Sequence, residues 1–153
     1  MDGKDDLALE RFLPYKLMQV AEQVSGELAK FYRSEFGITR PEWRLLAVLG
    51  QGKALIAREL AEMTCMDKVK VSRALQGMED KGLIRRTPNP KDQRAARIVL
   101  TAEGKALYRR MVPRVLEWER RLAQGLPGEK THSLIDSLNC LLTQLERMDG
   151  SRG

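Results

Sequence analysis

The stretch Asp67-Lys68-Val69-Lys70-Val71-Ser72-Arg73-Ala74-Leu75-Gln76-Gly77-Met78-Glu79-Asp80-Lys81-Gly82 decides how the rest of the chain is read. Val71, Leu75 and Met78 recur at spacings of four and three, which predicts a helix over 68–81 with one buried face. Gly82 suits the left-handed residue that closes such a helix. Lys68, Lys70, Ser72, Arg73 and Gln76 fall on the other face. Upstream, Ile56, Leu60 and Met63 mark a shorter helix over 56–63, and Thr64-Cys65-Met66-Asp67 leaves room for a tight connection. Two short helices so joined, the second basic, form a helix-turn-helix candidate.

Downstream of Gly82 the period changes. Leu83-Ile84-Arg85-Arg86-Thr87 and Arg97-Ile98-Val99-Leu100-Thr101 read as strands, the second rich in β-branched residues. Between them Pro88-Asn89-Pro90-Lys91-Asp92 is a turn, because neither proline can donate to a ladder. A hairpin over 83–100 behind a basic helix describes a winged helix, spanning 37–101. Its start is set by Gly37 as a stop and by Thr39 as the N-cap of a helix over 40–49, with Glu42 in capping-box position.

Long amphipathic helices flank this unit. Leu17, Val20, Val24, Leu28 and Phe31 form the apolar stripe of the first, over 10–36, with Pro14 in its opening turn. Thr101 caps another that runs to about Leu122 and carries Leu107, Met111, Val115, Trp118 and Leu122, with Pro113 expected to kink it. Gly125-Leu126-Pro127-Gly128 breaks the chain. A last helix to Met148 aligns Leu134, Leu138, Leu141, Leu145 and Met148, and the final residues from Asp149 read as a disordered tail. The segments 10–36 and 102–148 are the expected dimerisation helices. A two-fold protein doubles its contacts on a palindromic duplex. The expectation is a single mainly α domain over 1–153, a winged helix-turn-helix with a small β-hairpin wing and flanking dimerisation helices.

Charge agrees with this placement. The 153 residues carry a net charge of +6, and residues 66–97 alone hold nine basic and four acidic groups. A local excess of this kind is the footprint of a polyanion binder. The chain has one histidine and two cysteines, too few for a tetrahedral zinc site or a disulfide framework. Gly-rich phosphate loops and nucleophile elbows are absent from the sequence, which argues against an enzyme, and no cofactor or metal is expected. No stretch nears the ~18 apolar residues of a membrane span. The acidic start, Met1-Asp2-Gly3-Lys4-Asp5-Asp6, lacks a secretory apolar region, so a cytoplasmic protein is expected. Two rival readings are a small enzyme of aromatic metabolism and a helical module whose basic hairpin binds an acidic protein.

The sequence resembles the MarR family of bacterial transcriptional regulators over about residues 10–148. The resemblance rests on Arg58-Glu59-Leu60-Ala61, Val69-Lys70-Val71-Ser72-Arg73-Ala74-Leu75-Gln76 and Glu79-Asp80-Lys81-Gly82-Leu83-Ile84. The wing pattern follows as Pro90-Lys91-Asp92-Gln93-Arg94 and Val99-Leu100-Thr101-Ala102-Glu103-Gly104. The family implies a homodimer that represses or activates nearby genes through double-stranded operator DNA, often under control of a small aromatic ligand. It implies that Arg94 enters a minor groove, oriented by Asp92. The residues assigned to DNA are thus Lys68, Lys70, Val71, Ser72, Arg73 and Gln76 on the reading helix, with Asp92 and Arg94 on the wing. Arg suits guanine and Gln adenine, while the lysines suit phosphate.

Phe12-Leu13-Pro14-Tyr15-Lys16-Leu17 and Ile38-Thr39-Arg40-Pro41-Glu42-Trp43-Arg44 are similar to a narrower group responding to hydroxycinnamoyl-type acyl-CoA thioesters. Candidate ligand walls are Phe12, Tyr15, Trp43, Met111 and Trp118, with Lys16, Arg40 and Arg44 to meet a carboxylate or phosphate. The peroxide-sensing branch carries a reactive cysteine near the start of its first helix, and residues 10–36 have none. Cys65 and Cys140 read as small buried hydrophobes rather than a redox switch.

Overall fold

The computed structural model describes residues 6–92 and 94–151. A 3-10 turn at Leu9–Arg11 precedes α1 (Leu13–Phe36), α2 (Arg40–Leu49), β1 (Leu55–Ile56), α3 (Ala57–Thr64) and α4 (Lys68–Asp80). Then come β2 (Ile84–Thr87), β3 (Arg97–Leu100), α5 (Ala102–Ala123), a 3-10 turn at Pro127–Glu129 and α6 (Thr131–Gly150). Two compact units divide the chain, one ending at Met111 and one beginning at Val112. The fold is mainly helical with a winged helix-turn-helix, as the periodicities predict.

The first unit is ordered by local signals that the sequence carries openly. Gly37 ends α1 in the left-handed region (φ 65°), its N–H donating to the Arg33 carbonyl. At the start of α2 the Thr39 hydroxyl accepts the Glu42 N–H at 3.3 Å, and the Glu42 carboxylate accepts the Thr39 N–H at 3.0 Å. This reciprocal box satisfies two donors that the helix leaves free. Around α2 gathers the core: Leu45, Leu46 and Leu49, then Leu60 of α3, Val71, Leu75 and Met78 of α4, Leu107 and Met111 of α5. Burial of each such side chain contributes about 1.5–3 kcal/mol, enough to orient α3 and α4 against α2 without help from the surface.

The sheet differs from the expected hairpin. It has three antiparallel strands in the order β1-β3-β2, and β1 pairs Leu55 with Ile98 and Ile56 with Arg97. Ile56 therefore belongs to a strand rather than to the helix that follows, and Met63 is exposed, leaving Leu60 as the buried anchor of α3. Ile84, Ile98 and Leu100 close the core from the sheet side. Thr101 ties the wing to α5: its N–H donates to the Leu83 carbonyl at 3.0 Å and its hydroxyl to the Gly82 carbonyl at 2.6 Å. Gly104 makes this approach possible, since a Cβ there would lie 2.1 Å from the Leu83 carbonyl oxygen.

The second unit comprises the rest of α5 and all of α6. Pro113 lies inside α5, which continues unbroken to Ala123. It withholds an N–H from the Arg109 carbonyl one turn back. In α6 the expected stripe is present, and Leu134, Ile135, Leu138, Leu142, Leu145 and Met148 are exposed in the protomer. The helix reaches Gly150, past the predicted stop, because no breaker precedes that glycine. The last two tail residues lie outside the described ones. Both cysteines are exposed, which corrects their reading as buried hydrophobes. Cys140 sits on an outward face of α6, and Cys65 occupies the left-handed turn (φ 55°) between α3 and α4.

Candidate nucleic-acid interface

Asp67 starts α4 by accepting the Lys70 N–H at 2.8 Å, so the helix begins where the turn leaves α3. Val71, Ala74, Leu75 and Met78 point inward, and Lys68, Val69, Lys70, Ser72, Arg73 and Gln76 are exposed. Val71 is 1% exposed, so it holds the helix in the core and presents nothing to a groove. Its neighbour Val69, 59% exposed, takes the place that the sequence assignment gave to Val71. The two valines are separated only by phase: residues 69, 72, 73 and 76 share one side of a helix. The signal for Val69 was present in that phase. Gln76 donates to Asp80 at 2.9 Å, and no hydrogen bond or ion pair engages the Arg73 guanidinium among the described residues.

A clamp on the far end of α4 joins it to α2. Lys81 Nζ donates to Glu42 Oε1 at 2.8 Å and to the Gly37 carbonyl at 2.9 Å. Glu42 is 3% exposed, and its Oε2 has no hydrogen-bond partner among the described residues. Gly77 makes room for that oxygen: a Cβ at 77 would sit 3.1 Å from it. Burial alone would raise the Glu42 carboxyl. The hydrogen bonds from Lys81 and Thr39 outweigh burial and hold it below its ordinary value of 4.5.

The wing is shaped by side-chain turns. Asn89 Oδ1 accepts the Lys91 N–H at 3.1 Å, and Asp92 Oδ1 accepts the Arg94 N–H at 2.9 Å. Asp92 thus meets Arg94 at its backbone N–H. Gln93 of the wing pattern lies outside the described residues. Arg86 Nε donates to Glu79 Oε2 at 2.8 Å, fixing β2 to α4. Arg58, Arg86, Asp92 and Arg94 line one recess of about 350 Å³ between the start of α3 and the wing. Arg58 and Arg86 were not singled out in the sequence, where nothing local separates them from other surface arginines.

Of the expected ligand residues, Arg40, Trp43 and Arg44 stand on one face of α2 beside Tyr32. Met111 is fully buried in the core. Trp43 packs on Tyr32 with ring centroids 5.7 Å apart, Arg40 reaches Glu22 at 3.3 Å, and Lys16 donates to Gln19. Phe12 is exposed, Tyr15 and Arg44 are half-buried, and Trp118 is half-buried in the second unit. Among the described residues, none of the eight lines the recess at the wing or four other surface recesses.

A helix-turn-helix with a basic outward face, followed by a three-stranded sheet with an arginine near the hairpin tip, defines a winged-helix protein. The MarR family model matches residues 36–95. The homoprotocatechuate degradative operon repressor of Escherichia coli is 31% identical over 97 residues, a stretch that covers 63% of this chain and 66%, just under two thirds, of that repressor. A MarR family transcriptional regulator from Silicibacter pomeroyi has a crystal structure with a TM-score of 0.75, 29% identity and coverage of 91% of this chain and 95% of that one. A mutant MarR from Escherichia coli complexed with operator DNA superposes with a TM-score of 0.76 over 90% of this chain and 99% of that one. At 24% identity that likeness speaks for the fold. Over residues 36–95 the chain is similar to the MarR family, and its fold is like that of MarR family crystal structures.

Proposed function

We propose that the protein is a dimeric, sequence-specific DNA-binding repressor that reads a palindromic operator and is released by a small aromatic ligand or aromatic acyl-CoA thioester. The observation that carries the DNA part is the outward face of α4, where Lys68, Lys70, Ser72, Arg73 and Gln76 stand exposed and Arg73 is unengaged among the described residues. Arg73 would read a guanine edge, Gln76 an adenine edge, and Val69 a thymine methyl. Lys68 and Lys70 would sit on phosphates, and Arg94 in the minor groove beside them.

Titration of the chain's own upstream DNA, followed by fluorescence anisotropy, tests this. Affinity should fall linearly with salt on a log–log plot, with a slope of about −0.9 per phosphate neutralised. Arg73→Ala should weaken operator binding by about 1–3 kcal/mol and relax discrimination at one position per half-site. Arg94→Ala should weaken it most on A·T-rich flanks. Asp92→Ala should also weaken it, because the turn that aims Arg94 is lost, although net charge becomes more positive. Tighter binding by Asp92→Ala, with no flank dependence for Arg94→Ala, would reduce the wing to a basic loop.

The ligand part rests on the sequence pattern at 12–17 and 38–44 and on the relative that represses a homoprotocatechuate degradative operon. An inducer must bind the DNA-incompetent state more tightly than the competent one. A hydroxycinnamoyl-CoA thioester should therefore release operator DNA, with the free acid acting weakly. Trp43 and Trp118 supply a fluorescence signal for binding. No release by thioester or acid would remove the ligand class and leave the DNA-binding reading intact.

A further inference from the structure

A cleft of about 440 Å³ opens in the first unit, lined by the α2 end (Leu49, Gly50), the following loop and parts of β2, β3 and α5. Lys53, Arg85, Lys105 and Arg109 all line it, and no carboxylate of the described residues does. Two local rules assemble it. Arg85 pairs with Val99 across β2 and β3, so both point to the same side of the sheet. Lys105, Tyr108 and Arg109 fall on one face of α5 by their three- and four-residue spacing. An adjoining recess shares Arg85, Lys105 and Arg109 and extends along Thr101 and Ala102.

The cleft lies away from the reading helix. Arg86, the next residue of β2, points to the opposite side of the sheet and bonds Glu79 of α4. Arg85 therefore faces the side that α4 does not occupy. None of the four cations makes a hydrogen bond or ion pair among the described residues. Tyr108 is half-buried, its ring seated against Gly50, where a Cβ would lie 2.3 Å from the ring, and its hydroxyl accepts from Gln51 Nε2 at 3.2 Å. Leu49, Val99 and Leu100 add apolar wall.

We propose that this cleft binds a small organic polyanion, a nucleoside polyphosphate or a molecule built on one. Four cations without partners among the described residues fit a ligand bearing several negative charges, and a monocarboxylate would leave most of them uncompensated. Guanidinium forks such as Arg85 and Arg109 match phosphate oxygens two at a time. The volume suits a small organic molecule, and an aromatic ring fixed at the wall offers a base or similar flat group a surface on which to stack. The site is separate from the residues expected to hold an aromatic acid.

Calorimetric titration of the full chain without DNA, using ATP, coenzyme A and inorganic pyrophosphate, tests the site. Because no DNA is present, failure of the regulator reading would leave the result standing. ATP or coenzyme A should bind saturably, one per protomer, at least about ten-fold tighter than pyrophosphate, and the tighter of the two names the source. Arg85→Gln combined with Arg109→Gln should weaken that binding by about ten-fold or more. Arg73→Gln combined with Arg94→Gln should leave it within about two-fold. The proposal is overturned by absence of saturable binding, by pyrophosphate binding as tightly, or by equal losses in the two double variants. It is also overturned if the Arg85 and Arg109 variant loses operator affinity while its probe binding is unchanged.

Discussion

A chain ending at Leu126 is expected to run as a monomer in light scattering and to bind its operator at least about a hundred-fold more weakly than the full chain. The reason is the unpartnered stripe of α6, where Leu134, Leu138, Leu142, Leu145 and Met148 are exposed in the protomer. A row of exposed apolar residues this long is what an association surface between protomers would require. Two half-site contacts made by one dimer are coupled, so the second costs little once the first forms. Separating the protomers removes that advantage without touching α4. Leu138→Glu with Leu145→Glu should give the same loss while keeping the helix, since Glu is a good helix former. A stable dimer from both variants would move the interface away from α6.

Glu42→Ala is expected to lower stability by about 2–3 kcal/mol and to loosen the placement of α4. Three losses combine. The capping box of α2 opens, Lys81 loses its carboxylate, and a space appears beside Gly77 where Oε2 had been. Lys81 itself is partly exposed and returns to water, which keeps the loss below that of a fully buried pair. The pH dependence has a defined sign. Because the folded carboxyl titrates below its ordinary 4.5, its contribution is complete above the unfolded value and is lost as pH falls through the lower folded value. Glu42→Gln, which cannot ionise, should lack that segment of acid sensitivity. Chemical denaturation at neutral pH and at a series of acidic pH values checks both statements. Acid sensitivity that is unchanged in Glu42→Gln would assign it to other carboxylates.

These two cases show where legibility ends. The stripe of α6 is readable because it is periodic within one helix, and so are the Thr39 box and the glycine stops at 37 and 82. In each, the residues that decide the conformation lie within a few positions of one another, so composition and spacing carry the outcome. The reading helix is legible for the same reason, from Val71, Leu75 and Met78. The wing is legible as a change of period from 3.6 to 2.

What lay beyond the sequence involves partners distant along the chain. Leu55 and Ile56 are too short a run to announce a strand, and they become β1 only because β3 offers them an edge. Glu42 reads as half of a capping box, and its second role appears when the fold brings Lys81 to it from 39 positions away. The cleft behind the wing sheet draws its four cations from a loop, a strand and a helix that are ordinary surface segments in isolation. By itself the sequence determined the helices and the two wing strands, and that a basic helix and a basic wing follow one another. The tertiary structure decided which valine faces out, which arginines share a recess and which carboxylate anchors α4. Those outcomes depend on packing between segments, and no spacing along the chain encodes a contact whose two halves are brought together only by the core.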